Sequence, residues 1–139
     1  MEKSPQKFEM HSGSYTFKKK EKLCSKKMID QLFSEGVSFI SFPLKVIYLP
    51  CELPVKNKVQ IGFSVSKKNF KKAVQRNLLK RRMREAYRLN KHLLTEKEAE
   101  KQLAIFVIFI GKKILDYNTI EQSMIKSLTK CSKIHMPEK

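Results

Sequence analysis

The sequence predicts a single α+β domain, and three features carry that prediction. Val59–Ser66 (VQIGFSVS) alternates apolar with small polar residues, the two-residue period of a half-buried strand. Leu103–Ile110 (LAIFVIFI) is apolar throughout, as in a strand at the buried centre of a sheet. Around and between them, three segments repeat apolar residues at helical spacing. At 139 residues the chain has room for one modest core.

The elements follow in order. Residues 1–15 are polar, with Pro5 and Gly13, and read as a flexible N-terminal arm. Residues 16–132 read as the domain and 133–139 as a C-terminal tail. After the basic cluster Phe17–Lys20, a first helix is expected from Ser25 to Glu35. Met28, Ile29, Leu32 and Phe33 form its inner face, Ser25 caps its start and Gly36 ends it. A strand follows Pro43 over Leu44–Leu49, with a further short strand between Ser38 and Phe42. Val59–Ser66 is the next strand, a helix spans Lys71–Lys91, and Leu103–Ile110 is the last strand. A final helix is expected over Thr119–Cys131, capped by Asn118, with Ile120, Met124, Ile125 and Leu128 turned inward.

Charge narrows the function. Thirty Lys+Arg against 13 Asp+Glu give a net charge of +17. Such a surplus repels itself in a compact chain, and a polyanionic partner relieves the repulsion. Nucleic acid leads and an anionic membrane surface is the rival. The longest apolar run is far short of the roughly 20 residues of a spanning helix, and the N-terminus holds no apolar stretch resembling a signal peptide. A cytoplasmic protein without membrane attachment is therefore expected. Cys24, Cys51 and Cys131, like His11, His92 and His135, are scattered and form no metal-ligand spacing.

The segment Lys67–Lys91 (KKNFKKAVQRNLLKRRMREAYRLNK) carries the sharpest signal. Its basic residues are Lys67, Lys68, Lys71, Lys72, Arg76, Lys80, Arg81, Arg82, Arg84, Arg88 and Lys91, against the single acid Glu85. At about 100° per residue, Arg76, Asn77, Lys80, Arg81, Arg84, Arg88 and Lys91 share one side. Leu79, Met83 and Ala86 lie opposite, and Arg82 falls near the apolar flank. Like charges four residues apart, as in Arg76–Lys80–Arg84, cost an isolated helix a few tenths of a kcal/mol each. A merely solvated face would mix in glutamate. Arginine forks grip phosphate oxygens bidentately, whereas lysine supplies point charge, and Asn77 can bond a sugar hydroxyl or a base edge. A strand, not a helix-turn-helix partner, precedes this helix, which disfavours DNA reading.

These residues resemble a known signature. Ile61-Gly62-Phe63-Ser64-Val65-Ser66-Lys67-Lys68, followed by Arg76, Asn77, Lys80, Arg81 and Arg84 in an Arg-Asn-x-x-Lys-Arg-x-x-Arg arrangement, is similar to that of bacterial ribonuclease P proteins. The likeness runs from about Phe17 to the last helix. Lys71 stands where many members have glycine, and Ile29 where an aromatic residue often occurs. The resemblance implies an αβββαβα sandwich of ribosomal-protein type, in which the basic helix crosses between parallel strands with left-handed sense, against the common rule.

It also implies a division of labour. The catalytic RNA cleaves the 5′ leader from precursor tRNA with bound Mg2+, which the RNA holds. The protein is a non-catalytic subunit, monomeric outside the ribonucleoprotein. It binds that RNA through Lys67, Lys68, Lys72, Arg76, Asn77, Lys80, Arg81, Arg84 and Arg88. A cleft lined by Ile29, Phe33, Gly62, Ser64 and Ser66 receives the leader, with Phe33 placed to stack a base and the small strand residues allowing close backbone approach. The residues themselves offer no competing active site. Metal-dependent hydrolysis usually needs clustered carboxylates, and Asp30 and Asp116, the only aspartates, are far apart. No catalytic or metal-ligating residue is assigned. The competing class, a purely structural RNA-binding protein of the same architecture, is one that composition does not separate.

Overall fold

The computed structural model describes residues 21–23, 25–51, 59–95 and 102–135. The expected arm at 1–15, the cluster at 17–20 and residues 136–139 of the expected tail lie outside them. The elements are α1 (Lys26–Glu35), β1 (Val37–Ser41), β2 (Leu44–Cys51), β3 (Val59–Val65), α2 (Ala73–Asn90), α3 (His92–Thr95), β4 (Gln102–Phe109) and α4 (Tyr117–His135). This is the expected αβββαβα order with the short α3 added. The sheet is mixed, in the order β1-β2-β4-β3. β1 and β4 both pair antiparallel with β2, while β3 and β4 run parallel and are joined through α2.

Strand parity divides the molecule into two unequal cores. Leu44, Val46 and Tyr48 of β2, Val59, Ile61 and Val65 of β3, and Leu103, Ile105, Val107 and Phe109 of β4 face α2 and α4. There they pack on Leu79, Met83, Ala86 and Tyr87 from α2 and on Ile120, Met124, Leu128 and Cys131 from α4. The opposite face carries Ile47 and Ala104, packed with Leu23 and with Leu32 of α1, while Ile29 and Phe106 join the edge of that cluster. A ten-residue helix is only about 15 Å long, so α1 covers part of this face and leaves the rest open.

Several boundaries differ from expectation for local reasons. Ser25 caps α1 as expected, its hydroxyl accepting from the Met28 N–H at 3.3 Å. Gly36 ends that helix with an extended backbone, and a side chain there would run into the Leu32 carbonyl and into Ile47 Cγ2 at 2.8 Å. Asp116, not Asn118, caps α4. Its carboxylate accepts from the Thr119 N–H at 3.1 Å, and the Thr119 side chain first and that N–H second hold its pKa below the usual value. The helix continues to His135, beyond the expected end at Cys131 and into the segment read as a tail. Cys131 is core, and burial raises its thiol pKa to about 12.

Candidate nucleic-acid interface

α2 begins one residue after Lys72, which supplies no side-chain cap. The start is organised instead from two other positions. Ser66 Oγ accepts from the N–H groups of Lys68 and Asn69 at 3.1 and 3.3 Å, which shapes the turn carrying Lys67 and Lys68. Arg76 Nη1 donates to the Phe70 and Lys71 carbonyls at 2.8 and 2.9 Å, which ties the turn to the first helical coil. Lys67, Lys68, Lys71 and Lys72 project from this tied segment and are exposed.

Beyond it, Asn77 and Arg81 are exposed, and Lys80 and Arg84 are half-buried. The described residues place no ion-pair partner on Lys67, Lys68, Lys72, Lys80, Arg81 or Arg84. The outward ridge is therefore a run of cations that no described carboxylate pairs, with an amide among them. Packing restricts its width. Tyr87, about 20° around the helix from Arg76, is wholly buried, so Arg76 stands at the margin and the ridge centres on Asn77, Arg81 and Arg84.

Two positions on the expected ridge depart from it. Lys91 is buried, its side chain 8% exposed, and its ammonium lies 2.8 Å from Glu21 Oε1. It fastens the segment before α1 to the end of α2 and leaves the outward ridge. Arg88 is held by Glu85, with Nε–Oε1 at 3.0 Å and Nη2–Oε2 at 2.6 Å. That bidentate bond raises its pKa, and it offsets the charge Arg88 presents. Arg82, expected near the apolar flank, donates to the Leu115 carbonyl and joins α2 to the loop before α4.

Beside this pair, Glu121 Oε2 accepts from Asn90 Nδ2 at 3.1 Å and from the Tyr117 hydroxyl at 3.3 Å. Burial first, and Glu121 second, push the Tyr117 phenol up. These groups fill the seam between α2 and α4.

On the other face, cross-strand register builds an open floor beside α1. Ile40, Lys45, Ile108 and Ser64 lie in one row across β1, β2, β4 and β3, and Ser38, Ile47, Phe106 and Gly62 in the next. Phe33 leans from α1 onto Phe106, with ring centroids 5.3 Å apart and planes at 64°. It is 51% exposed, so one side of its ring is open. Ile29 packs inward on the smaller core rather than lining the open floor.

Gly62 is buried, and its role differs from the expected one. A Cβ there would sit 2.9 Å from Cδ1 and Cε1 of Phe106. Its smallness seats the Phe106 ring, which covers it and keeps an incoming backbone away. Ser64 remains part-exposed, and Ser66 is engaged in its turn. The sequence reading missed Phe106, Ile108 and Lys45. Phe106 and Ile108 share the parity of Ala104 in β4, and a ten-residue α1 cannot cover that whole row. Those two facts together were the available signal.

The comparisons agree with this architecture. The family model described as Ribonuclease P matches residues 17–132. A ribonuclease P protein component from Porphyromonas gingivalis is 39% identical over 120 residues, covering 83% of this chain and 85% of its own. One from Chlorobium phaeobacteroides is 40% identical over 115 residues, covering 74% and 79%. The ribonuclease P protein of Thermotoga maritima superimposes with a TM-score of 0.64 at 26% identity, over 79% of this chain and 96% of that one. That of Staphylococcus aureus does so with a TM-score of 0.63 at 23% identity, over 83% and 97%, a likeness of fold. With most of both chains aligned and the signature residues set on one helix, the chain belongs to the ribonuclease P protein family, the protein components of a tRNA-processing ribonucleoprotein.

Proposed function

We propose that this chain binds the catalytic RNA of ribonuclease P through the outward ridge of α2 and receives the 5′ leader of precursor tRNA on the floor beside α1. One observation carries the first half. Among the described residues Lys80, Arg81 and Arg84 have no carboxylate partner, and they stand beside exposed Asn77, an arrangement whose self-repulsion a phosphate backbone relieves. Lys67, Lys68 and Lys72 extend the same cationic surface past the end of β3, with Arg76 bracing the turn that presents them.

The leader half is supported by the floor. Phe33 and Phe106 offer a π-face, Ile108 and Ile40 an apolar surface, and Lys45 a charge for the strand's phosphates. In this reading Ile29 and Gly62 shape the site from below and touch no nucleotide, and Ser64 borders it. The chemistry belongs to the RNA with its Mg2+. In this reading the protein's part is to hold and orient RNA.

The test is 5′ processing of leader-bearing precursor tRNA by a bacterial ribonuclease P RNA at low magnesium. Added protein should stimulate cleavage. RNA binding without stimulation would instead favour a purely structural role.

A further inference from the structure

α4 carries a second cationic face that the reading above does not use. At about 100° per residue, Lys126, Lys130 and Lys133 fall within about 60° of one another. They lie opposite the buried Met124, Leu128 and Cys131, and all three are exposed. The only carboxylate in α4 is Glu121, and it is turned towards α2, where it accepts from Asn90 and Tyr117. No ion pair among the described residues engages the three lysines. Spacings of four and three residues repeat like charge along one line without an acid to offset it, the same arrangement as on α2.

Their place in the fold separates them from α2. Ser123, one turn before Lys126, donates to the Ser41 carbonyl of β1. Lys130 Nζ stands 4.5 Å from the centroid of the Phe39 ring, also in β1. The lysine line therefore follows the β1 edge of the sheet, whereas α2 packs over β3 at the opposite edge. Between the two strips runs the seam in which Glu85 holds Arg88 and Glu121 holds Asn90 and Tyr117. The seam interrupts the cationic surface, because Arg88 and Glu85 offset one another there and Glu121 adds a negative charge.

We propose that Lys126, Lys130 and Lys133 form a second RNA-contact surface, which grips the phosphate backbone of a segment of the catalytic RNA different from the one held by α2. The protein then joins two RNA segments, one at each edge of its helical face. Lysine point charges suit this task, because they hold a backbone without reading sequence. The inference rests on the RNA-binding reading above.

The test uses the full chain with Lys126→Ala, Lys130→Ala and Lys133→Ala combined, all at exposed positions where alanine favours helix. Its affinity for ribonuclease P RNA is measured over a range of salt beside that of Arg81→Ala. The triple variant should lose about tenfold or more in affinity, and its log–log salt slope should be shallower by about 2 to 3, from three lost phosphate contacts. Unchanged affinity and slope, with Arg81→Ala impaired, overturn the second surface alone. If neither variant is impaired, the RNA-binding reading falls with it. Hydroxyl radicals from an iron chelate tethered at Lys126→Cys or at Arg81→Cys, with Cys24 and Cys51 replaced by serine, should cut separate stretches of that RNA. Cuts in the same stretch, or cuts from Lys126→Cys only in precursor tRNA, overturn the two-segment arrangement.

Discussion

Gly62 shows how one absent atom group positions an aromatic ring at the candidate leader site. Gly62→Ala would put a Cβ 2.9 Å from two ring carbons of Phe106, and overpacking of this kind costs about 1–3 kcal/mol. Urea unfolding should show that loss. An unchanged midpoint would mean that the ring swings aside freely. The Lys91–Glu21 pair acts at the other end of α2. With side chains only 8% and 12% exposed, removal of one partner takes the direct counter-charge from the other in a site with little water. Lys91→Ala should therefore cost about 3 kcal/mol, and adding Glu21→Ala should recover part of it. A double variant no more stable than the single one would show that the pair is not coupled. Neither role was legible beforehand. Nothing local relates Lys91 to a glutamate seventy positions earlier, so on the helical wheel it falls with the RNA-facing cations.

At the scale of elements, α1 and α2 differ in how far local pattern determines them. Ser25, Gly36 and the apolar spacing define α1, and its shortness creates the open floor. Phe33→Ala should weaken binding of leader-bearing tRNA by the worth of one stacked base, about 1–3 kcal/mol, and leave mature tRNA unaffected. Equal losses for both RNAs, measured by equilibrium binding to the holoenzyme, would remove Phe33 from the leader site. On α2 the periodicity identified the outward ridge, because charge and burial alternate there with the helical period. It could not tell that Glu85 neutralises Arg88, since both lie on the surface flank and only rotamers bring them to 2.6 Å. Glu85→Gln should release Arg88, tighten RNA binding and steepen its salt dependence. A weaker complex would show that the pair orients Arg88 for contact. The strands show the same limit: β3 alternates and its faces could be assigned, whereas β4 is apolar on both, which concealed Phe106 and Ile108.

For the molecule as a whole, one sheet serves two purposes because its faces are covered unequally. α2 and α4 close one side into the main core and display cations outward, while α1 leaves the other side part-open. The αβββαβα order was legible because the long helices and β3 carry clean periods and β4 is a bounded apolar run, and the short α3 was not, since four residues carry none. The net charge of +17 gives the protein its polyanionic partner, but the account depends on where that charge sits. The most direct measurement is the affinity of Arg81→Ala and Arg84→Ala for ribonuclease P RNA as a function of salt, with thermal melting as the control. Each substitution should weaken binding and lower the log–log slope by about one counterion, with the melting temperature unchanged. Affinity and slope equal to those of the parent chain, in properly folded variants, would contradict the assignment of α2 as the RNA-gripping element.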